Sequence, residues 1–190
     1  MARPHPSRQA SAVVTGAGSG IGRAFAQEIA ARGGRVVVSD INPRTAQETV
    51  DLIGRDRAHA VVADVADLAQ VERLAAEAEA WLGGPVDLVI NNAGVGVGGA
   101  PVGEIPYADW QWALGINLWG VINGCHVFAP RLRALGRGGI VNVCSTASFA
   151  AAPNMGPYNT ARRRRSRSRK PCRQNLPAAA CMSLRCARPG

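Results

Sequence analysis

Apolar and polar residues follow two alternating rhythms along this 190-residue chain. Ser11–Thr15 is a short apolar run that stops at a glycine-rich turn, TGAGSGIG, and RAFAQEIAARG then carries apolar residues at helical spacing up to Gly33–Gly34. The unit predicted is strand, glycine turn, helix. RVVVSD reads as a second strand ending in an acid, TAQETVDLIG as a second helix and HAVVADV as a third strand. Two more units follow: DLAQVERLAAEAEAWLG with VDLVINNAG, and a long helical stretch, WQWALGINLWGVINGCHVFAPRLRAL, with GGIVNVCSTAS. Five strands thus alternate with four helices. The strand runs are apolar without strict alternation, the pattern of a parallel sheet covered on both faces. The expectation is an α/β, doubly wound parallel sheet of the Rossmann type, which the pattern breaks off after the fifth strand.

In such a sheet the first turn is where a dinucleotide's pyrophosphate is expected, because glycines let backbone amides approach phosphate and the following helix N-terminus favours negative charge. Gly16, Ser19, Gly20, Ile21 and Gly22 make up that turn. A plain tight turn would also use glycine, but this one follows a strand, opens a helix and precedes Asp40 at the end of the second strand. A carboxylate there accepts hydrogen bonds from ribose hydroxyls and repels a phosphate, so NAD is favoured over NADP. Asp64, with Val65 after the third strand, is either an adenine contact or a loop acid.

Taken jointly, TGAGSGIG at 15–22, DV at 64–65, NNAG at 91–94, Asn117, Ser145 and Tyr158 resemble the classical short-chain dehydrogenases/reductases, over residues 10 to 161. The resemblance implies that Asn91, Ala93 and Gly94 steady the central sheet beside the cofactor. It implies three members of a catalytic tetrad: Tyr158 as general acid/base, Ser145 as the donor to the substrate oxygen, and Asn117 at a helix kink holding a relay water. The reaction implied is reversible oxidation of a secondary alcohol to a ketone by NAD(P), in a homo-oligomer. The chemistry explains the residue types. Hydride transfer from a carbinol carbon needs a proton moved on or off its oxygen, and a phenol, with a free pKa of about 10, serves where nearby positive charge favours its anion.

Composition changes this picture only at the far end. The net charge of +9 is unevenly placed: residues 1–161 hold 12 Arg against 13 Asp and Glu, and residues 162–190 hold nine Arg and Lys170 with no acid. The expected organisation is a dinucleotide-binding domain over 1–161 and a basic, disordered tail over 162–190. No cysteine pair has metal-ligand or redox spacing, the three histidines are scattered, no metal site is expected, and no segment has the length of a membrane span or a signal peptide. These features point to a cytoplasmic protein. The four tryptophans read as packing or subunit contacts rather than a stacking platform.

The family pattern breaks at Arg162, where the resemblance calls for lysine four residues after tyrosine. Arginine keeps the charge, but its planar fork is a poor replacement for a compact ammonium. Arg163, Arg164 and Arg165 follow where the family continues an apolar helix. The genetic code offers an explanation. Taking the third base of each codon with the first two of the next, position 162 can become lysine, and serines 166 and 168, if encoded by TCN, must become aliphatic or Phe. Cys172, Cys181 and Cys186 must likewise become aliphatic or Met. The string V-A-L-S-E-T-L is permitted over 166–172, resembling the family's helix after the lysine. The expectation is a frameshift near codons 161–162 and a truncated product. Two other readings stand beside the enzyme: a catalytically silent fragment, and a nucleic-acid-binding protein acting through its RRRRSRSRK tail.

Overall fold

The computed structural model describes residues 9–167 and the pair 181–182. Six parallel strands form one sheet: β1 (Ser11–Thr15), β2 (Arg35–Asp40), β3 (Ala58–Val62), β4 (Leu88–Asn91), β5 (Gly139–Asn142) and β6 (Cys181–Met182), in the order β3-β2-β1-β4-β5-β6. The first five are the strands expected from the sequence. The sixth is a two-residue addition, Cys181 beside Ile140 and Met182 beside Val141.

Crossover helices α1 (Gly20–Ala31), α2 (Pro43–Ile53) and α3 (Leu68–Leu82) join the first four strands. Their ends are set locally. Asn42 accepts from the amides of Arg44 and Thr45 at the start of α2, with Pro43 in the first turn, and Asp67 does the same for Ala69 and Gln70 at the start of α3. Gly83 (φ +72°) ends α3 in the left-handed conformation that glycine adopts without strain. Period-two alternation then divides the core. Val13, Val37, Val61, Val89 and Ile140 point to one face, against Val71, Leu74 and Ala78 of α3 and the helix before β5. Ala12, Val14, Val36, Val38, Leu88 and Ile90 point to the other, against Ala26 and Ile29 of α1 and Ala46 and Val50 of α2.

The long helical stretch before β5 is two helices, α4 (Tyr107–Leu114) and α5 (Gly120–Leu135), joined by a π turn at Gly115–Trp119. Asn117 explains the wide turn. Its side chain is fully buried and leaves the helix to bond the Val95 backbone twice, Oδ1 from the Val95 amide at 2.9 Å and Nδ2 to the Val95 carbonyl at 2.7 Å. A final helix, α6 (Gly156–Arg167), follows β5. It continues six residues past Ala161 into the arginine run. Apart from the end of α6 and the two residues of β6, the 162–190 tail lies outside the described residues, as do Cys172, Cys186 and His5.

Tryptophan positions differ from one another. Trp81 packs on the core, with the Arg35 guanidinium 4.1 Å from its ring centroid and His59 stacked at 5.4 Å. Trp110 abuts Gly156, while Trp112 and Trp119 are about half exposed.

Candidate active site

Strand order reverses between β2-β1 and β1-β4, and the chain leaves the carboxyl ends of β1 and β4 in opposite directions, which opens a crevice there. The result is a cleft of about 520 Å³. Gly16, Ser19, Gly20, Ile21, Asp40, Asp64, Val65, Ala93, Gly94, Ser145, Tyr158 and Arg162 all line it. Residues 142 positions apart in sequence, from Gly20 to Arg162, thus face one space.

The glycine turn is built by close approach. A Cβ at Gly22 would fall 2.2 Å from the Gly16 carbonyl oxygen, and one at Gly16 (φ +62°) would fall 2.8 Å from Ala93 Cα. Helix α1 can therefore sit directly on the turn, with its first-turn amides toward the cleft. Gly20 (φ +51°) has open space where a Cβ would be, on the side available to a ligand. Asp40 closes the turn from β2: its carboxylate accepts from the Gly18 amide at 2.9 Å and the Asn42 amide at 3.0 Å. Arg23 braces the other side, donating from Nε to Thr49 at 2.9 Å and also bonding the Gly18 carbonyl. Asp64 accepts from the Ala66 amide at 2.9 Å, which fixes the loop after β3. A turn of backbone amides with open space at Gly20 suits a pyrophosphate, and the turn fits a dinucleotide on that ground.

Three of the expected site residues support the cleft from behind rather than line it. Gly22 lies under the turn. Asn91 is buried, donating to Asn142 Oδ1 at 2.8 Å across β4 and β5, and it presses on Gly124, where a Cβ would lie 2.2 Å from its Oδ1. Asn117 holds Val95, whose backbone belongs to the cleft wall. Sequence reasoning passed over Asn92, which donates to the Thr15 and Gly16 carbonyls at 3.0 and 3.1 Å and so joins β4 to the glycine turn. It also missed the apolar rim residue Ile41, 63% exposed, whose signal was an isoleucine where the second strand has already ended.

The other end of the cleft carries Ser145, Tyr158 and Arg162. Ser145 follows β5, and its Oγ accepts from the Ala147 amide at 3.2 Å. Its own hydroxyl proton has no acceptor among the described residues, and it is free to donate into the cleft. Tyr158 lies one turn before Arg162 on α6, and the Arg162 guanidinium carbon is 4.9 Å from its ring centroid, a cation over an aromatic face. Arg162 is only 7% exposed. Its Nη1 donates to the Val143 carbonyl at 3.2 Å, its own carbonyl accepts from Ser148 Oγ at 2.9 Å, and its Nε is buried with no partner. Nη2 fills the space beside Gly94, where a Cβ would come within 2.5 Å of it.

A glycine-turn crevice at the switch point of a doubly wound parallel sheet, with serine and tyrosine at its far end, defines the class: an α/β domain of the Rossmann type. The chain belongs to the short chain dehydrogenase family, whose family model matches residues 10–163. It is 41% identical over 152 residues to the probable oxidoreductase EphD of Mycobacterium tuberculosis, covering 78% of this chain and 25% of that protein. It is 42% identical over 142 residues to a D-threitol dehydrogenase of Mycolicibacterium smegmatis, covering 74% of this chain and 54% of the relative. Among solved structures, a short-chain dehydrogenase/reductase from Burkholderia phymatum in complex with NAD superposes with a TM-score of 0.86 at 37% identity, over 92% of this chain and 64% of that one. The chain spans about a quarter to about half the length of these curated relatives.

Proposed function

We propose that this domain is the cofactor-binding and proton-transferring part of an NAD-preferring oxidoreductase acting on a secondary alcohol or ketone. The observation that carries the reading is the convergence of the glycine turn, Asp40, Ser145 and Tyr158 on one cleft. A nicotinamide dinucleotide bound there would supply the hydride acceptor or donor. Gly16, Ser19, Gly20 and Ile21 would hold its pyrophosphate, Asp40 its adenosine ribose, and Asp64 and Val65 its adenine. Preference for NAD over NADP follows from the Asp40 carboxylate, which would meet a 2′-phosphate with like charge. Ser145 donates to the substrate oxygen and fixes its position, and the Tyr158 hydroxyl, with no protein partner among the described residues, takes or gives the proton on that same oxygen. Asn117, through Val95, shapes the wall between them. Apolar side chains exposed on α4, the π turn and α5, Tyr107, Trp112, Trp119 and Ile122, support self-association as the resemblance implies.

A second reading is favoured by a specific observation. Arg162 stands where the family's lysine would, and a guanidinium with a buried, unpartnered Nε is not an equivalent of a compact ammonium with three rotatable donors. The fragment would then bind dinucleotide and turn over little, and the arginine run would be the product of a lost base near codons 161–162. NADH fluorescence titration of the 190-residue protein, followed by turnover of NAD with a panel of secondary alcohols, separates the two. Binding with turnover supports the enzyme, binding without turnover supports the silent fragment, and no binding removes both. Sequencing the gene across codons 155–195 tests the lost base directly. Tail-mediated nucleic-acid binding is tested by a salt titration of RNA binding, which must weaken steeply if phosphate neutralisation drives it.

A further inference from the structure

The far end of the cleft contains a positive charge with no counter-charge among the described residues. All 13 Asp and Glu residues of the chain lie between Glu28 and Asp109, and each is within the described part of the structure. None pairs with Arg162, whose one side-chain hydrogen bond among the described residues runs from Nη1 to the Val143 carbonyl. No carboxylate side chain remains elsewhere in the sequence to reach it, since residues 162–190 contain no acid. Arg162 nonetheless lines the cleft, beside a serine whose hydroxyl proton has no acceptor and a tyrosine hydroxyl that has no partner among the described residues. The two acids of the cleft, Asp40 and Asp64, stand at the ends of β2 and β3, and their carboxylates are held by backbone amides of their own loops.

We propose that the Ser145, Tyr158 and Arg162 end of the cleft is a carboxylate-binding site, so that the ligand seated beside Tyr158 is a small organic acid. Binding puts a negative charge against a cation from which water is largely excluded, where a charge-assisted hydrogen bond is stronger than its surface counterpart. It supplies the counter-ion that Arg162 lacks among the described residues, and it leaves the Ser145 donor to the ligand's hydroxyl or keto oxygen. As a statement about substrate, it narrows the proposed reaction to a hydroxy acid or an oxo acid, and to that extent rests on the dehydrogenase reading. As a statement about binding it does not, because the cation is present whether or not a dinucleotide is bound.

The test compares 3-hydroxybutyrate with its neutral amide, 3-hydroxybutyramide, by isothermal titration of the full chain at constant ionic strength. The acid is expected to bind at least about tenfold more tightly than the amide, the ratio that about 1.4 kcal/mol sustains. Arg162→Met should abolish the difference by weakening the acid alone, and Arg162→Lys should keep most of it. Equal binding of acid and amide, undetectable binding of both, or a preference that survives in Arg162→Met overturns the proposal. If Arg162→Met does not fold by circular dichroism, Arg162→Gln takes its place, and the comparison on the unaltered chain still decides. NADH titration in parallel keeps the two readings apart. Acid preference without NADH binding refutes the dehydrogenase reading alone, and NADH binding without acid preference refutes the carboxylate site alone.

Discussion

Gly22→Ala is the sharpest probe of how the turn is assembled. The added methyl would lie 2.2 Å from the Gly16 carbonyl oxygen and 2.5 Å from Asn92 Nδ2, about 1 Å or more inside the roughly 3.5 Å at which heavy atoms pack without repulsion. Neither neighbour is the loose end of a long side chain. Gly16 cannot retreat toward β4, because Ala93 already fills the direction of its own Cβ, and Asn92 Nδ2 is held by two carbonyls at 3.0 and 3.1 Å. Helix α1 must therefore lift from the turn. Overpacking of this kind costs about 1–3 kcal/mol, and each Asn92 hydrogen bond lost adds about 1 kcal/mol. The better helix propensity of alanine returns at most about 1 kcal/mol.

The net expectation is a loss of about 3 kcal/mol, or a melting temperature lowered by roughly 6–12 °C at about 2–4 °C per kcal/mol for a chain of this size. Gly20→Ala is the internal control. It places a side chain at φ +51° with nothing within 4 Å, so it carries only the left-handed strain of about 1–2 kcal/mol, less about 0.4–1 kcal/mol from the stiffer unfolded chain. Urea unfolding followed by circular dichroism measures both. A Gly22→Ala protein as stable as Gly20→Ala would refute the close approach of α1 to the turn, and with it the geometry assigned to the phosphate cradle.

Asn117→Ala removes both bonds to Val95 and leaves its amide and carbonyl without that partner; a loss of about 2–3 kcal/mol in urea unfolding is expected, and a loss below about 0.5 kcal/mol would contradict the role given to the π turn. Asp87 has its pKa raised, chiefly by burial, with the Ser11 amide and Arg137 opposing the rise. Its folded value lies above its unfolded one, so its contribution is fully present below the unfolded pKa of about 4 and is lost as pH rises through the folded value. Asp87→Asn, which retains an acceptor for Ser11, should accordingly gain stability over the unaltered chain as pH is raised from about 4 toward neutrality, and a gap that stays flat or narrows across that range would rule this out. Gly94→Ala meets Arg162 Nη2 at 2.5 Å and Asn117 Oδ1 at 2.8 Å. In a double-mutant cycle with Arg162→Ala its cost should fall by about 1 kcal/mol, whereas additivity within about 0.5 kcal/mol would mean that the guanidinium does not lie against Gly94.

The strands were legible because each is a short apolar run closed by a turn signal, and RVVVSD corresponds residue for residue to β2. The two core faces could not be assigned from those runs, since a strand buried on both sides shows no polar alternation. The break between α4 and α5 was legible only through the resemblance, which implies a kink at Asn117, and not through the apolar pattern. Helical periodicity runs through Gly115–Trp119 without interruption, and the widened turn depends on a partner, Val95, 22 residues away. Most of the cleft was readable from motifs, but three motif residues, Gly22, Asn91 and Asn117, hold the wall rather than face the ligand space. A motif records which residue types a site requires, not which of them touch the occupant. Asn92 shows the converse: its neighbour Asn91 attracted the same reading, and only the pleat decides that one side chain turns to β5 and the other to the glycine turn.

The arginine run was read as the end of the domain because it stands where the family continues an apolar helix, and that argument left out two things. Arginine is itself a good helix former, so nothing local stops α6 at Ala161. The absence of a side chain at Gly94 also leaves room for a guanidinium, and the Tyr158 ring and the Val143 carbonyl give it a face and an acceptor.

What remains unbalanced is the charge itself, since an enclosed cation without a counter-ion costs several kcal/mol. Two accounts explain that imbalance and make different demands on the same atom. If the arginine is encoded in the frame in which the gene evolved, the cost was tolerated for something, and an anionic ligand is the occupant that removes it. If a base was lost, no selection has acted on the position, and the orphaned Nε is a by-product of reading the wrong frame. The physics of the cleft is the same in both cases, because a carboxylate responds to the guanidinium that is there and not to its history. Acid preference in the titration therefore tests the site, and the gene sequence tests its origin. A chain that prefers the acid and proves to be out of frame would show that a binding site can arise from a reading error, provided the fold leaves a cation in a cleft without an acid to match it.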